Sequence, residues 1–222
     1  MEGRERDFAW TAHVLVVEID GPHHDHAPQR RVDRARDREL TLAASPRRSP
    51  PEIRDQLKHL SDAVRGNQAV MLRRQAVPHA YRVFFRHIGL DPDRDRPPHE
   101  ALVVERIRAG RFKPLGLIPD AITIATVETG IPIWALDADL VSGDPGIRVA
   151  REGEEVAGVP VPGGRFVVAD AHGAVGVLFG AVGAAVSRST TRVMLLSVQV
   201  AGVPAIHVEE ALWMAAEIID PS

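Results

Sequence analysis

With 222 residues, 45% of them hydrophobic, the chain can bury a core, and the length suits a single domain over 1–222. The absence of cysteine excludes disulfides, thiolate metal sites and a cysteine nucleophile, and points to a reducing, cytoplasmic setting. The net charge of −3 argues against indiscriminate nucleic-acid binding, so DNA is not an expected partner. Charge is polarised, however: residues 1–115 carry 22 Lys+Arg against 17 Asp+Glu, and residues 116–222 carry 5 against 13.

The first ten residues, MEGRERDFAW, carry charges of both signs. The apolar run VLVVEI is shorter than a signal-peptide core or the ~20 residues that span a bilayer, so no membrane partner is expected. FAWTAHVLVVEI reads as a first strand, broken by GPHHDHAPQ. Residues 1–48 are then a strand and a basic loop, in which Arg30, Arg31, Arg34, Arg47 and Arg48 can either meet phosphates or form a solvated surface.

A helix is expected from Ser49 to Gly66, with Ser49 and Glu52 as a capping box, Pro50 in the first position and Gly66 at the C-terminus. Two more are expected at Pro78–His87 and Pro98–Ala109, ending at Gly89 and Gly110, and a fourth at Ile118–Thr129. Beyond Gly130 the chain changes to short β-rich runs: IPIWAL, GIRVA, RFVVAD, AVGVLF and RVMLLSVQV. An amphipathic helix over Val208–Ile219 closes the series. Helices grouped first and strands later indicate an α+β fold, with mixed or antiparallel sheets packed against helices.

There is no GxxxxGK[ST], no GxGxxG after a strand, no HExxH and no GxSxG. His23, His24, Asp25 and His26 form the densest ligand-like cluster, but neighbours in one loop rarely converge on an ion without a further ligand held by the fold. His87, His99 and His207 fall at expected helix ends, where a dipole, a cap or solvent accounts for them. Asp137 and Asp139 read either as an acid/base pair or as a strand terminator capping a turn. In RSTTR, the hydroxyls of Ser189, Thr190 and Thr191 lie between Arg188 and Arg192, able to hold an anionic or ester group or simply to start a strand.

Over Tyr81–Leu196 these pieces fall into a family order. YRVFFRHIGLDPDRDRPPHEAL resembles a helix, "lGidp" turn and "rPS.EaL" helix start, with Pro98 where serine is usual. PDAITIATVETGIPIWALDADL resembles "VD..N....l.Gqp.haFD.d", keeping Asp120, Gly130, Pro132 and Asp137. GIRVAREGEEV, the RFVVAD strand with its glycine-rich sequel, and STTRVMLL continue the pattern. Together they resemble the B3/B4 domain of the phenylalanyl-tRNA synthetase beta chain and its free-standing relatives, with residues 78–200 as the family-like core and 206–220 as the closing helix. The resemblance implies a compact α+β domain whose cleft accepts the aminoacylated 3′ end of tRNA and hydrolyses a wrongly attached amino acid, without a metal or other cofactor. Ligase activity is not implied.

The departures fall where that chemistry would reside. The family's asparagine, histidine and glutamate correspond to Thr123, Trp134 and Val182, and neither tryptophan nor valine can move a proton. Trp134 can instead stack on a base or an aromatic amino acid. The resemblance thus leaves three readings: a trans-acting deacylase using Asp137 and Thr190, with Thr123, Trp134, Val182 and Arg188 lining the cleft; a non-catalytic module that recognises aminoacyl-tRNA or an amino acid; and a protein-interaction domain on the same fold.

Overall fold

The computed structural model describes residues 12–16, 40–41, 48–64, 71 and 74–221. In chain order these form β1 (Ala12–Val16), β2 (Leu40–Thr41), α1 (Pro51–Ala63), α2 (Ala76–His87), α3 (Pro98–Ala109), α4 (Leu117–Thr129) and β3 (Ile133–Asp137), then a 3-10 turn at Ala138–Leu140. There follow β4 (Gly146–Val149), β5 (Glu155–Val156), β6 (Val159–Pro160), β7 (Phe166–Ala169), β8 (Ala174–Val177), β9 (Arg192–Gln199) and α5 (Ala205–Ile219). The fold is α+β. Arg30, Arg31, Arg34, Arg47, Gly66 and the His23–His26 cluster lie outside the described residues.

The larger sheet is organised by β9, whose residues Val193–Val198 are all buried, as expected of a strand covered on both faces. β3 runs antiparallel to it, from Ile133 opposite Ser197 to Asp137 opposite Val193. β1 pairs parallel with residues 195–199 and β2 antiparallel with residues 192–193. Residues 195–197 pair with both β1 and β3, and Val193 with both β2 and β3, so β3 occupies one edge of β9 and the two N-terminal strands the other. α5 packs on β9 and β1, and α4 packs on α5 and β3. Tyr81 of α2 is fully buried and donates its hydroxyl to the Val198 carbonyl at 2.6 Å. A second apolar cluster, Leu57, Val64, Val103, Phe112 and Ile124, joins α1 and α3 to α4. The smaller sheet, β4–β7–β8, and the β5–β6 hairpin share a third cluster around Val156, Val161 and Val167.

Two local expectations are corrected. The capping box does not form: α1 begins at Pro51, its N-cap is Pro50, and Ser49 Oγ donates across 71 residues to Asp120 Oδ2 at 2.5 Å. Asp120 also accepts from the Leu115 N–H at 2.8 Å, so one carboxylate, 1% exposed, fixes both the entry to α1 and the entry to α4. The strand read through AVGVLF stops at Val177, because the Gly180 N–H returns to the Val177 carbonyl at 2.9 Å and Phe179 adopts φ +59°. A Cβ at Gly180 would meet Val177 Cγ1 at 3.0 Å, which explains a glycine at the turn.

α2, the 91–97 loop and α3 are locked together by Arg82. Its guanidinium donates to Glu100 Oε2 at 2.9 Å, to Asp93 Oδ1 at 2.6 Å and to the Pro92 carbonyl at 3.2 Å. Arg82 and Glu100 are both buried, so removing Glu100 leaves the guanidinium only the exposed Asp93 carboxylate and the Pro92 carbonyl. Glu100→Ala is expected to cost about 1–3 kcal/mol, read from urea unfolding.

His99 lies in the first turn of α3 and is 1% exposed rather than solvated. Neither ring nitrogen has a hydrogen-bond partner among the described residues. Burial, and secondly the nearby Arg82 guanidinium, hold its pKa down at about 4 against an ordinary 6.5. The unfolded chain therefore takes up this proton before the folded one does, and stability falls as pH drops from 6.5 to 4, by up to about 3 kcal/mol. Denaturant titrations at several pH values should show that slope in the wild type and a flatter one in His99→Leu.

Candidate functional site

The end of β3 and the start of β9 meet through side chains. Asp137, the last residue of β3 and 7% exposed, accepts from the Thr190 hydroxyl at 2.6 Å through Oδ2, and from the Asp139 N–H at 3.1 Å through Oδ1. Its own N–H donates to the Ala184 carbonyl at 2.9 Å. Thr190, 1% exposed, also accepts from the Ser187 N–H at 2.9 Å. The Thr190 hydroxyl therefore acts both as donor and as acceptor, and both Asp137 oxygens are occupied. The carboxylate caps the 3-10 turn, as a strand terminator would. Asp137 and Asp139 do not form a carboxylate pair: Asp139 turns to the surface, where it meets Arg192 at 2.8 Å. That exposed ion pair is worth at most about 1 kcal/mol. Arg188 is exposed on the 187–190 turn, beside a 2.8 Å contact between the Ser187 and Ser189 hydroxyls.

Trp134 lies three residues before Asp137 in β3, so strand alternation sends the two side chains to opposite faces. The half-buried Trp134 ring packs on Phe179, with centroids 4.9 Å apart and planes at 56°. Phe179 also meets Phe85 at 4.5 Å and Phe84 at 6.0 Å. Val182 is half-buried in the same apolar cluster, its backbone bridged to Gly176. Thr123 is half-buried on α4, and among the described residues no hydrogen bond joins it to Asp137 or Thr190. The sequence-predicted residues thus separate into a polar latch, Asp137 with Thr190, and an aromatic slot, Trp134 with Phe179 beside Val182.

The glycine-rich segment that carries Phe179 is held by a polar bracket on the smaller sheet. Glu154 makes two hydrogen bonds with the Arg148 guanidinium, one of 2.7 Å, and accepts from the N–H groups of Arg151 at 2.8 Å and Ala174 at 3.0 Å. The Arg148 bond is the main reason its pKa is depressed to about 2. Asp170 accepts from the N–H groups of Ser142, Gly173 and His172, which together outweigh burial and hold it below the usual carboxylate range. Phe179 was not singled out from the sequence. Its signal was an aromatic residue beside a glycine in LFG, within a segment too glycine-rich to remain a strand.

Among the described residues no group of three or more His, Cys, Asp or Glu side chains is placed to hold a metal, and no helix is long and apolar enough to cross a membrane. The profile of the B3/4 domain matches residues 80–212, more than half of the chain. This chain belongs to the B3/4 domain family. It is similar to the phenylalanine–tRNA ligase beta subunit of Cutibacterium acnes, 30% identical over 105 residues, which is 44% of this chain and 12% of that subunit. The beta subunit of Neisseria meningitidis is 31% identical over 122 residues, covering 52% of this chain and 14% of the relative. That of Xanthomonas campestris is 33% identical over 69 residues, covering 31% and 8%. The matched region is therefore a small part of each relative's length.

The family assignment makes the Asp137–Thr190 contact a test of fold against chemistry. Thr190→Val, which keeps the shape and removes the hydroxyl, leaves a buried carboxylate oxygen and the Ser187 N–H without their partner. A loss of about 2–4 kcal/mol in thermal or urea unfolding is expected, with Thr190→Ser close to wild type.

Proposed function

We propose that this B3/4 domain recognises tRNA through its aminoacylated end, without hydrolysing it. The observation that carries the reading is the separation of the aromatic slot from the polar latch: Trp134 and Phe179 offer a half-buried aromatic face, while Asp137 and Thr190 are buried and satisfied by each other. A terminal base or an aromatic amino acid would stack on Trp134, Val182 would bound the slot, and Thr123 would supply a hydroxyl near α4. Arg188 and Arg48, both exposed, would meet phosphates with Arg30, Arg31, Arg34 and Arg47. Tryptophan and valine stand where the family resemblance implies histidine and glutamate, which removes the two groups best suited to orienting water. The tRNA in this reading comes from the relatives, which are phenylalanine–tRNA ligase beta subunits.

A second reading, deacylation in trans, is favoured by the 2.6 Å Thr190-to-Asp137 hydrogen bond. A hydroxyl already sharing its proton with a carboxylate has the arrangement of a nucleophile and its base. For an ester to reach it, the 187–190 turn would have to open.

A panel of correctly and wrongly charged tRNAs separates the two. Recognition predicts retention of charged tRNA that weakens steeply with salt, falls roughly tenfold in Trp134→Ala, and is accompanied by no release of amino acid above the uncatalysed rate. Release that persists in Thr190→Ser and vanishes in Asp137→Ala with Thr190→Ala would establish the deacylase instead. Absence of both retention and release would retire both readings.

A further inference from the structure

A cationic concavity lies between the loop before α3 and the outward face of that helix. Arg94, Arg96, Ala101, Val104, Glu105 and Arg108 line a concavity of about 340 Å³. Ala101, Val104, Glu105 and Arg108 follow helical spacing along one side of α3, while His99, Glu100 and Val103 are buried in the core. The small side chain of Ala101 leaves the space, and the three arginines against one carboxylate leave the lining with a net charge of +2.

The loop that carries Arg94 and Arg96 is held in place. Asp91 winds the loop, its carbonyl accepting from the N–H groups of Arg94 at 3.0 Å and Asp95 at 2.7 Å. Buried Arg82 pins the same loop to α3 through Pro92, Asp93 and Glu100. Pro97 and Pro98 stiffen the step from Arg96 into the helix. Among the described residues Arg94, Arg96 and Arg108 form no ion pair, and the Arg96 Nε–H is buried without an acceptor. Guanidinium groups that line a concavity without a carboxylate partner leave charge-assisted donors for an incoming oxyanion. The neighbouring Arg106 is excluded, since it turns inward to the Ser61 carbonyl.

We propose that this concavity is a phosphate-binding site for the RNA backbone. Guanidinium groups from two separate elements, set around a depression rather than a flat face, suit the paired oxygens of a phosphodiester. The site rests on the tRNA-recognition reading for the identity of the RNA, but its chemistry needs only backbone phosphate.

The test uses the full chain and a roughly 20-base-pair RNA duplex of arbitrary sequence, without an aminoacyl ester, titrated at several salt concentrations. The combined variant Arg94→Ala, Arg96→Ala, Arg108→Ala is compared with a control of equal charge, Arg74→Ala, Arg151→Ala, Arg165→Ala. The expected result is an affinity loss of at least roughly tenfold and a log K against log salt slope shallower by about 2–3 in the site variant only. Glu105→Gln should tighten binding. Thermal unfolding checks that both triple variants keep the fold intact. Equal binding by the two triple variants, or no binding of the duplex by wild type at salt on the order of 50 mM, overturns the proposal. Tripolyphosphate that shifts the Arg96 side-chain N–H resonance, while RNA binding ignores the site variant, identifies a small-anion site and also overturns it. Should the duplex bind as expected while charged and uncharged tRNA bind alike and independently of Trp134, the phosphate site stands and recognition of the aminoacyl end falls.

Discussion

The register between β3 and β9 is the constraint on which the rest of the molecule depends. β9 is paired on both edges, so any displacement of β9 itself breaks two ladders at once. Asp137 lies opposite Val193, which brings its carboxylate to Thr190 at the approach to β9. Trp134 lies opposite Leu196, with its ring against Phe179. A slip of one residue would exchange the faces of Trp134 and Asp137 and put a carboxylate among aromatic rings. The separation of slot and latch is therefore a property of the sheet, not an accident of rotamers.

Around that sheet, single carboxylates tie together segments far apart in sequence. Asp120 holds Ser49 and the start of α4, Glu154 holds β4 and the start of β8, and Glu100 with Asp93 holds the helix–loop–helix corner through Arg82. Each has its oxygens matched by N–H or O–H donors, the condition under which a buried polar group specifies one arrangement instead of weakening the core. His99 departs from this pattern, since among the described residues neither nitrogen of its buried ring is engaged, and its lowered pKa makes the corner around α3 sensitive to acid. The same lock fixes the backbone of the loop from which Arg94 and Arg96 reach the concavity beside Arg108.

Helix positions were legible in the sequence because glycine stops them: Gly110 and Gly130 adopt φ of +80° and +76° immediately after α3 and α4, as expected of left-handed caps. The β-rich second half was also legible as a class, but not its pairing. The parallel ladder between β1 and β9 joins residues some 180 positions apart, and nothing in local periodicity encodes that partner. The capping box at Ser49 failed for a related reason, since the competing acceptor, Asp120, is distant in the chain. At the candidate site, Asp137 and Thr190 could be paired by motif order, whereas the aromatic slot depends on Phe179, which meets Phe85 from a turn of positive φ that local sequence does not announce.

What the motifs keep is as informative as what they change. Asp120 and Asp137, retained in the family-like pattern, serve here as backbone and hydroxyl acceptors that close the fold, and Glu154, in the retained glycine–glutamate step, serves the same end. Thr123, Trp134 and Val182, where the pattern departs, are the half-buried positions, free of such duties. Selection for the fold alone would preserve the first group and leave the second to drift. The positive φ of Phe179 is held by the packing of its ring on Phe84, Phe85 and Trp134, so the strain at this turn is offset by the apolar contacts it makes possible.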